Sequence, residues 1–212
     1  MEETLKIINQ MQRDRVIGKY AIGGGIGATF YVEPKETFDI DIFISFDADP
    51  RRLIISLSPI YEYLGKLGYN PKDEHIVIEK WQVQFLPTSD ALDTEALSEA
   101  VATEVEGEKT WVMTAEHLMA ISLRTGRDKD FERIKLFLNH NASMPESAIV
   151  GGSSPSYAIG SSSAEFSGQP SKVIIMTQKK VYDEARLNQI LGRHKLVEKW
   201  EKFKLRIARE HE

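Results

Sequence analysis

The chain has 212 residues, no cysteine, 42% hydrophobic residues and a formal charge of −5. That size suits one good core with an appendage; the missing cysteines exclude disulfides and thiolate metal sites, and the charge argues against broad nucleic-acid binding through a basic surface. No apolar run approaches membrane-spanning length and the start does not read as a signal peptide, so a cytoplasmic protein without a membrane partner is expected.

Residues 2–18 read as a helix, with Leu5, Ile8, Met11 and Gln12 at a loose three-to-four spacing. A short β-like run, Lys19 to Ile22, leads into Gly23-Gly24-Gly25, and residues 26–31 suit a short helix before Pro34. Glycine lets backbone N–H groups approach a ligand, and a helix start favours anions, so Gly23 and Gly24 are candidates for cradling phosphate. Next, Ile40, Ile42 and Ile44 alternate with Asp39, Asp41 and Phe43, the period of a strand with one apolar face. Asp39 and Asp41 then point the same way with Cα atoms roughly 6.5–7 Å apart. Two such carboxylates repel unless a cation sits between them, and a hard divalent ion, Mg²⁺ or Mn²⁺, is the usual answer. A solvated acidic edge strand is the plainer alternative. Gly23, Gly25 and Ala28 also fit a dinucleotide fingerprint, but there the acidic residue ends the second strand, whereas here the aspartates open theirs.

Asp49-Pro50 suits a helix start, with apolar residues from Leu53 to Leu67 at helical spacing and Gly68 as its stop. Residues 76–78 and 81–86 read as strands around a bend at Glu79-Lys80; in the second, Lys80, Gln82 and Gln84 share a face. Residues 91–100 suit a helix, 102–113 a hairpin around Gly107, and Thr114 the cap of a helix that Gly126 breaks. A new helix starts near Asp128. Arg127, Lys129 and Arg133 supply charge that can balance a triphosphate, and a salt-bridged helix start is the structural alternative.

From 141 to 171, Ser, Gly and Pro make up 17 of 31 residues, a flexible insertion or linker. Residues 172–176 suit a strand, Asp183 starts a helix ending at Gly192, and a last helix from His194 or Lys195 carries Leu196, Trp200, Phe203 and Ile207 on one stripe. That stripe is expected to dock on the main domain; left exposed, it would serve a homodimer or another partner. The five histidines show no metal-ligand spacing. The expected organisation is a main domain over 1–140, a linker over 141–171, and a strand plus helices over 172–212.

Gly23-Gly24, about a dozen residues, then Thr37-Phe38-Asp39-Ile40-Asp41-Ile42 resembles the signature of the DNA polymerase β-like nucleotidyltransferases, and most of all the small nucleotidyltransferase-like proteins related to AbiEii-type abortive-infection toxins. The signature spans Gly23 to Ile44, and a looser likeness continues to about Phe137; Asp130 and Arg133 fit an Asp-x-x-Lys/Arg spacing found in those toxins. The resemblance implies an α/β (α+β) fold, a small mixed sheet flanked by helices with a helical C-terminal part. It implies transfer of a nucleotide from a nucleoside triphosphate to a hydroxyl of RNA, protein or a small molecule. Asp39 and Asp41 would be catalytic and hold the metal; Gly23, Gly24, Thr37, Arg127 and Lys129 would bind the nucleotide. An antitoxin partner belongs to the same picture. One departure stands out. The superfamily takes a third carboxylate from the second of the two strands, and here Gln84 or Gln82 stands there. An amide takes up no proton at neutral pH. Either the reaction manages without that base, or Asp90 or Glu79 substitutes, or the chain is a catalytically silent binding protein, half of a toxin–antitoxin or phage-defence pair.

Overall fold

The computed structural model describes residues 1–33, 37, 39–45, 56–72, 75–144 and 179–210. In chain order the elements are α1 (Glu2–Arg13), β1 (Tyr20–Ile22), α2 (Gly24–Ala28), β2 (Asp39–Ile44), α3 (Ser58–Lys66), β3 (Pro71–Lys72), β4 (His75–Ile78) and β5 (Trp81–Pro87). They continue with α4 (Ala91–Ser98), β6 (Val101–Val105), β7 (Glu108–Val112), α5 (Ala115–Thr125), α6 (Asp128–Ala142), α7 (Glu184–Arg193) and α8 (Val197–Glu210). The described strands form one mixed sheet in the order β3-β4-β5-β2-β1-β7-β6. The α/β architecture expected from the sequence is the one observed.

The alternation in β2 decides how the sheet is clothed. Ile40, Ile42 and Ile44 are fully buried on one face, packed with Leu5, Ile8 and Met11 of α1, Ile60 and Leu64 of α3, and Val83 of β5. Each such side chain contributes about 1.5–3 kcal/mol by leaving water. The opposite face bears Asp39, Asp41 and Phe43; there Phe43 joins Met113 and the apolar sides of α4 to α8. The two aspartates lie just beyond that second core. The buried Tyr20 hydroxyl donates to Asn9 Oδ1 at 2.7 Å, tying β1 to α1.

Several boundaries follow from local chemistry. Thr114 caps α5, accepting from the His117 amide, and Asp183 caps α7. Gly126 ends α5 in the left-handed region at φ 75°, which a side chain would resist. The hairpin of β6 and β7 turns at Glu106-Gly107 as expected. Other boundaries differ from the sequence reading. α1 stops at Arg13, not 18, because the chain has to turn into the sheet: Val16 donates back to the Met11 carbonyl and Gly18 donates to the Ser45 carbonyl. α2 begins at Gly24, two residues before the expected Ile26, and α7 runs to Arg193. The start at Asp49-Pro50, the strand at 172–176 and most of the 141–171 linker lie outside the described residues; 141 and 142 still belong to α6.

The last stripe packs inward. Leu196, Trp200 and Phe203 are buried in the core with α5 and α6, and Phe203 stacks on Phe131 at 5.2 Å and on Trp200 at 5.5 Å. No helix among the described residues is long and apolar enough to cross a membrane.

Candidate active site

β2 is the middle of the site because both its neighbours are fixed in register. β1 runs antiparallel to it, with Ile22 opposite Ile42, and the next amide, Gly23, donates to the Asp41 carbonyl at 2.9 Å. The glycine turn therefore begins beside Asp41. Gly24 has φ 56°, and a β-carbon there would lie 1.7 Å from Asp41 Oδ2. A β-carbon at Gly25 would lie 2.5 Å from Thr37 Oγ1. Side chains at these two positions would evict the acid and the threonine, so glycine is required by space at both and by conformation at Gly24 as well. The first amides of α2 have no carbonyl four residues back to bond, which leaves donors beside the acids.

Gly24, Gly25, Thr37, Asp39 and Asp41 line a cleft of about 530 Å³, together with His75, Gln84, Asp93, Arg124, Arg127, Lys129, Asp130 and Arg133. Gly23 is not among the lining residues. Its amide is used by Asp41, and its Cα faces the core, where a β-carbon would meet the Phe43 ring at 2.6 Å. Gly25 takes the lining position that the sequence reading gave to Gly23.

The opposite wall is the start of α6. Asp130, 1% exposed, accepts from Arg127 Nε at 2.7 Å and from Arg133 at 3.0 Å, and its carboxylate also caps the Arg127 amide at 3.3 Å. One buried carboxylate thus holds two guanidinium groups against the cleft, while Lys129 stands exposed beside them. This is the salt-bridged helix start considered from sequence, and it faces the acids. Arg124, from the last turn of α5, is held by Asp90 and by the buried Asp93, the latter at 2.8 Å.

Burial pushes the Asp41 carboxyl above the usual carboxylate range; the Arg133 charge opposes that shift and the neighbouring Asp39 adds to it. A half-buried acid beside a second acid, with oxygen donors only, fits a hard cation such as Mg²⁺ or Mn²⁺.

β5 runs parallel to β2, with Asp39 opposite Gln82 and Asp41 opposite Gln84. Gln84 therefore stands beside Asp41, and among the described residues no carboxylate replaces it. Asp90 caps α4 and pairs with Arg124, and Glu79 sits in the β4–β5 turn bonded to the Tyr69 hydroxyl; neither lines the cleft. Sequence reasoning also missed His75 and Arg124 as lining residues. The hairpin register would have found His75.

A second polar cluster lies elsewhere. Glu95, Glu99 and His117 bring ligand atoms within 4.8 Å of one another. Its charges are already matched: Glu95 meets Arg193 at 2.5 Å, His194 at 2.9 Å and His117 Nε2 at 3.2 Å, and Glu99 meets Arg186 at 2.7 Å. Thr114 Oγ1 accepts from the His117 amide and lies 2.8 Å from Nδ1. Its hydroxyl proton then goes to Nδ1, and Nε2–H is left to donate to Glu95. Arg193 above all, then the two histidines, hold the Glu95 carboxyl down at about 2, while burial lowers His117. The cluster is a tie between α4, α5 and α7.

No family model matches the chain, and no curated protein matches it. Among solved structures it is similar to an antigenic nucleotidyltransferase-like protein from Paracoccidioides brasiliensis, 16% identical over 71% of this chain and 78% of that one, with a TM-score of 0.45. It is also similar to ANT(2'')-Ia in complex with adenylyl-2''-tobramycin, 17% identical over 62% of this chain and 86% of that one, TM-score 0.39. A third is CdnC with ATP from E. coli MS115-1, 10% identical over 89% and 78%, TM-score 0.30. At these identities and TM-scores the likeness is one of outline, and the chemistry has to be read from this chain's own side chains.

Proposed function

We propose that this chain is a metal-dependent nucleotidyltransferase that moves a nucleotide from a nucleoside triphosphate to an acceptor hydroxyl. The observation that carries the reading is convergence: paired acids, a glycine turn shaped around one of them, and a wall of three cations line one cleft. Asp39 and Asp41 would hold Mg²⁺ or Mn²⁺, which when bound supplies Lewis-acid stabilisation of the phosphoryl oxygens. Gly24, Gly25 and Thr37 would offer donors to phosphate; Gly23 contributes by keeping the turn bonded to Asp41. Arg127, Arg133 and Lys129 would neutralise the triphosphate, and Asp130 keeps the two arginines in place. The acceptor is RNA, a protein or a small molecule. We place the activity in the cytoplasm, in the unit formed by residues 1–140, with a homodimer or an antitoxin as the partner to test for.

Gln84 favours one second reading. With an amide beside Asp41 where a carboxylate base would stand, the chain would bind nucleotide without turning it over, as the silent half of an AbiEii-like toxin–antitoxin or phage-defence pair. Calorimetry with ATP, CTP, GTP and UTP in the presence of Mg²⁺, with Asp39→Asn/Asp41→Asn as control, separates the readings when run beside a transfer assay with α-labelled nucleotide. Metal-dependent binding that the double variant loses, with label on an acceptor, supports the enzyme. Binding without label supports the silent protein, and no metal-dependent binding removes both.

A further inference from the structure

Among the described residues, the titratable groups lining the cleft are Asp39, Asp41, His75, Asp93, Arg124, Arg127, Lys129, Asp130 and Arg133. A hydroxyl attacking phosphorus is accelerated when one of them takes its proton. Asp39 and Asp41 are committed to the cation. Asp93, 4% exposed, is paired with Arg124, and Asp130, 1% exposed, with Arg127 and Arg133. Protonating either acid removes the charge that holds those arginines. Arginine does not deprotonate, and lysine is a cation at neutral pH. That leaves His75. It is half-buried, and among the described residues its imidazole has no hydrogen bond or ion pair.

Its place in the sheet fits. β4 runs antiparallel to β5, with Ile76 opposite Val83 and Val77 opposite Gln82. One residue further along that ladder, His75 falls opposite Gln84, on the face that bears Asp41. Across the strands the row reads Asp41, Gln84, His75, with neighbouring strands about 4.8 Å apart. A hydroxyl resting over Gln84 lies between the acid and the imidazole. The Gln84 amide can hydrogen-bond that hydroxyl but cannot take its proton.

Resting on the nucleotidyltransferase reading, the geometry points to His75 as the general base that stands in for the absent third carboxylate. The acceptor oxygen bonds to the α-phosphorus, the α–β phosphoanhydride bond breaks, pyrophosphate leaves, and the hydroxyl proton passes to the His75 imidazole and then to water. This places the acceptor over β4 and β5, and the triphosphate toward α2 and α6.

The test compares wild type and His75→Gln in three measurements. These are transfer of label from α-labelled ATP, CTP, GTP and UTP to total RNA, to the protein itself and to tobramycin; nucleotide Kd by calorimetry with Mg²⁺; and Tm. The expected result is a transfer rate lower by about 10²-fold or more, with Kd and Tm unchanged and the acid limb of the wild-type pH–rate profile absent in the variant. Transfer by His75→Gln within about twofold of wild type overturns the inference. So does a parallel loss of nucleotide affinity, which marks a structural role. A wild type that binds nucleotide but labels no acceptor overturns the inference and leaves the silent-protein reading; one that binds no nucleotide sinks the underlying reading instead. If His75→Gln does not fold, His75→Asn, judged by the same measurements, decides.

Discussion

Adding one carbon at Gly24 probes the site at its tightest point. The backbone there has φ 56°, and the left-handed region costs an L-residue about 1–2 kcal/mol. The new β-carbon would also lie 1.7 Å from Asp41 Oδ2 and 2.7 Å from Asp41 Cγ, an overlap too deep for small adjustments to absorb. Overpacking of this kind adds about 1–3 kcal/mol. Gly24→Ala is therefore expected to cost about 2–5 kcal/mol, which for a chain of this length lowers Tm by roughly 4–20 °C. Because the atom it strikes belongs to a carboxylate proposed to hold the metal, Mn²⁺-dependent ATP affinity should fall by at least about tenfold, equivalent to 1.4 kcal/mol. Gly23→Ala is the matched control. Its β-carbon would meet Phe43 at 2.6 Å and Met113 at 3.3 Å, on the apolar side of the strand. It should lower Tm by a similar mechanism while the folded protein still binds Mn²⁺ and ATP. Thermal melts and calorimetry on the two variants read both effects. The reasoning is refuted if Gly24→Ala melts and binds like wild type, or if Gly23→Ala loses binding as completely as Gly24→Ala.

Three further outcomes are expected. Asp41 has its folded carboxyl raised by burial, so the folded chain keeps that proton to higher pH than the unfolded chain, and the associated stability is lost as pH rises through the folded value. Asp41→Asn should therefore raise the Tm of metal-free protein at pH 7 while abolishing metal-dependent nucleotide binding, and melts should show the gain vanishing below the ordinary carboxylate range. Asp130→Asn should cost about 1–3 kcal/mol, since it strips two arginines of a buried partner; calorimetry should show ATP weakened more than AMP if, as proposed, the arginines neutralise the triphosphate. Glu95, held down at about 2, contributes stability that is present above the ordinary glutamate value and lost as pH falls through about 2. Glu95→Gln should lower Tm at pH 7, with the difference from wild type shrinking toward pH 2 and no response of either protein's Tm to added Zn²⁺ at that cluster.

What the sequence revealed was local in origin. The period of two in residues 39–44 needs no tertiary information to say which side chains share a face, and Thr114, Gly126 and Asp183 mark helix ends by their own backbone chemistry. The cleft's two walls are 85 residues or more apart, and it was the resemblance together with charge sign that set Asp39 and Asp41 beside Arg127 and Lys129. Arg124 is placed by α4, which supplies Asp90 and Asp93 from 34 and 31 residues away in sequence, and was not legible. His75 enters the cleft because β4 folds back on β5, a local register that could have been read but was not. The Glu95–His117–His194 tie joins three helices, so histidine spacing could not reveal it. Gly23 shows the limit of reading a glycine triplet: three identical residues face a core ring, a carboxylate and a threonine in turn.

A crystal grown with Mn²⁺ and a non-hydrolysable ATP analogue, with data collected for the manganese anomalous signal, confronts the cation between the paired acids most directly. The expected map has a manganese peak shared by carboxylate oxygens of Asp39 and Asp41, with the triphosphate running from that peak toward Arg127, Lys129 and Arg133. A map with manganese at Glu95 and Glu99 alone, or with the triphosphate bound away from Gly24 and Asp41, contradicts it.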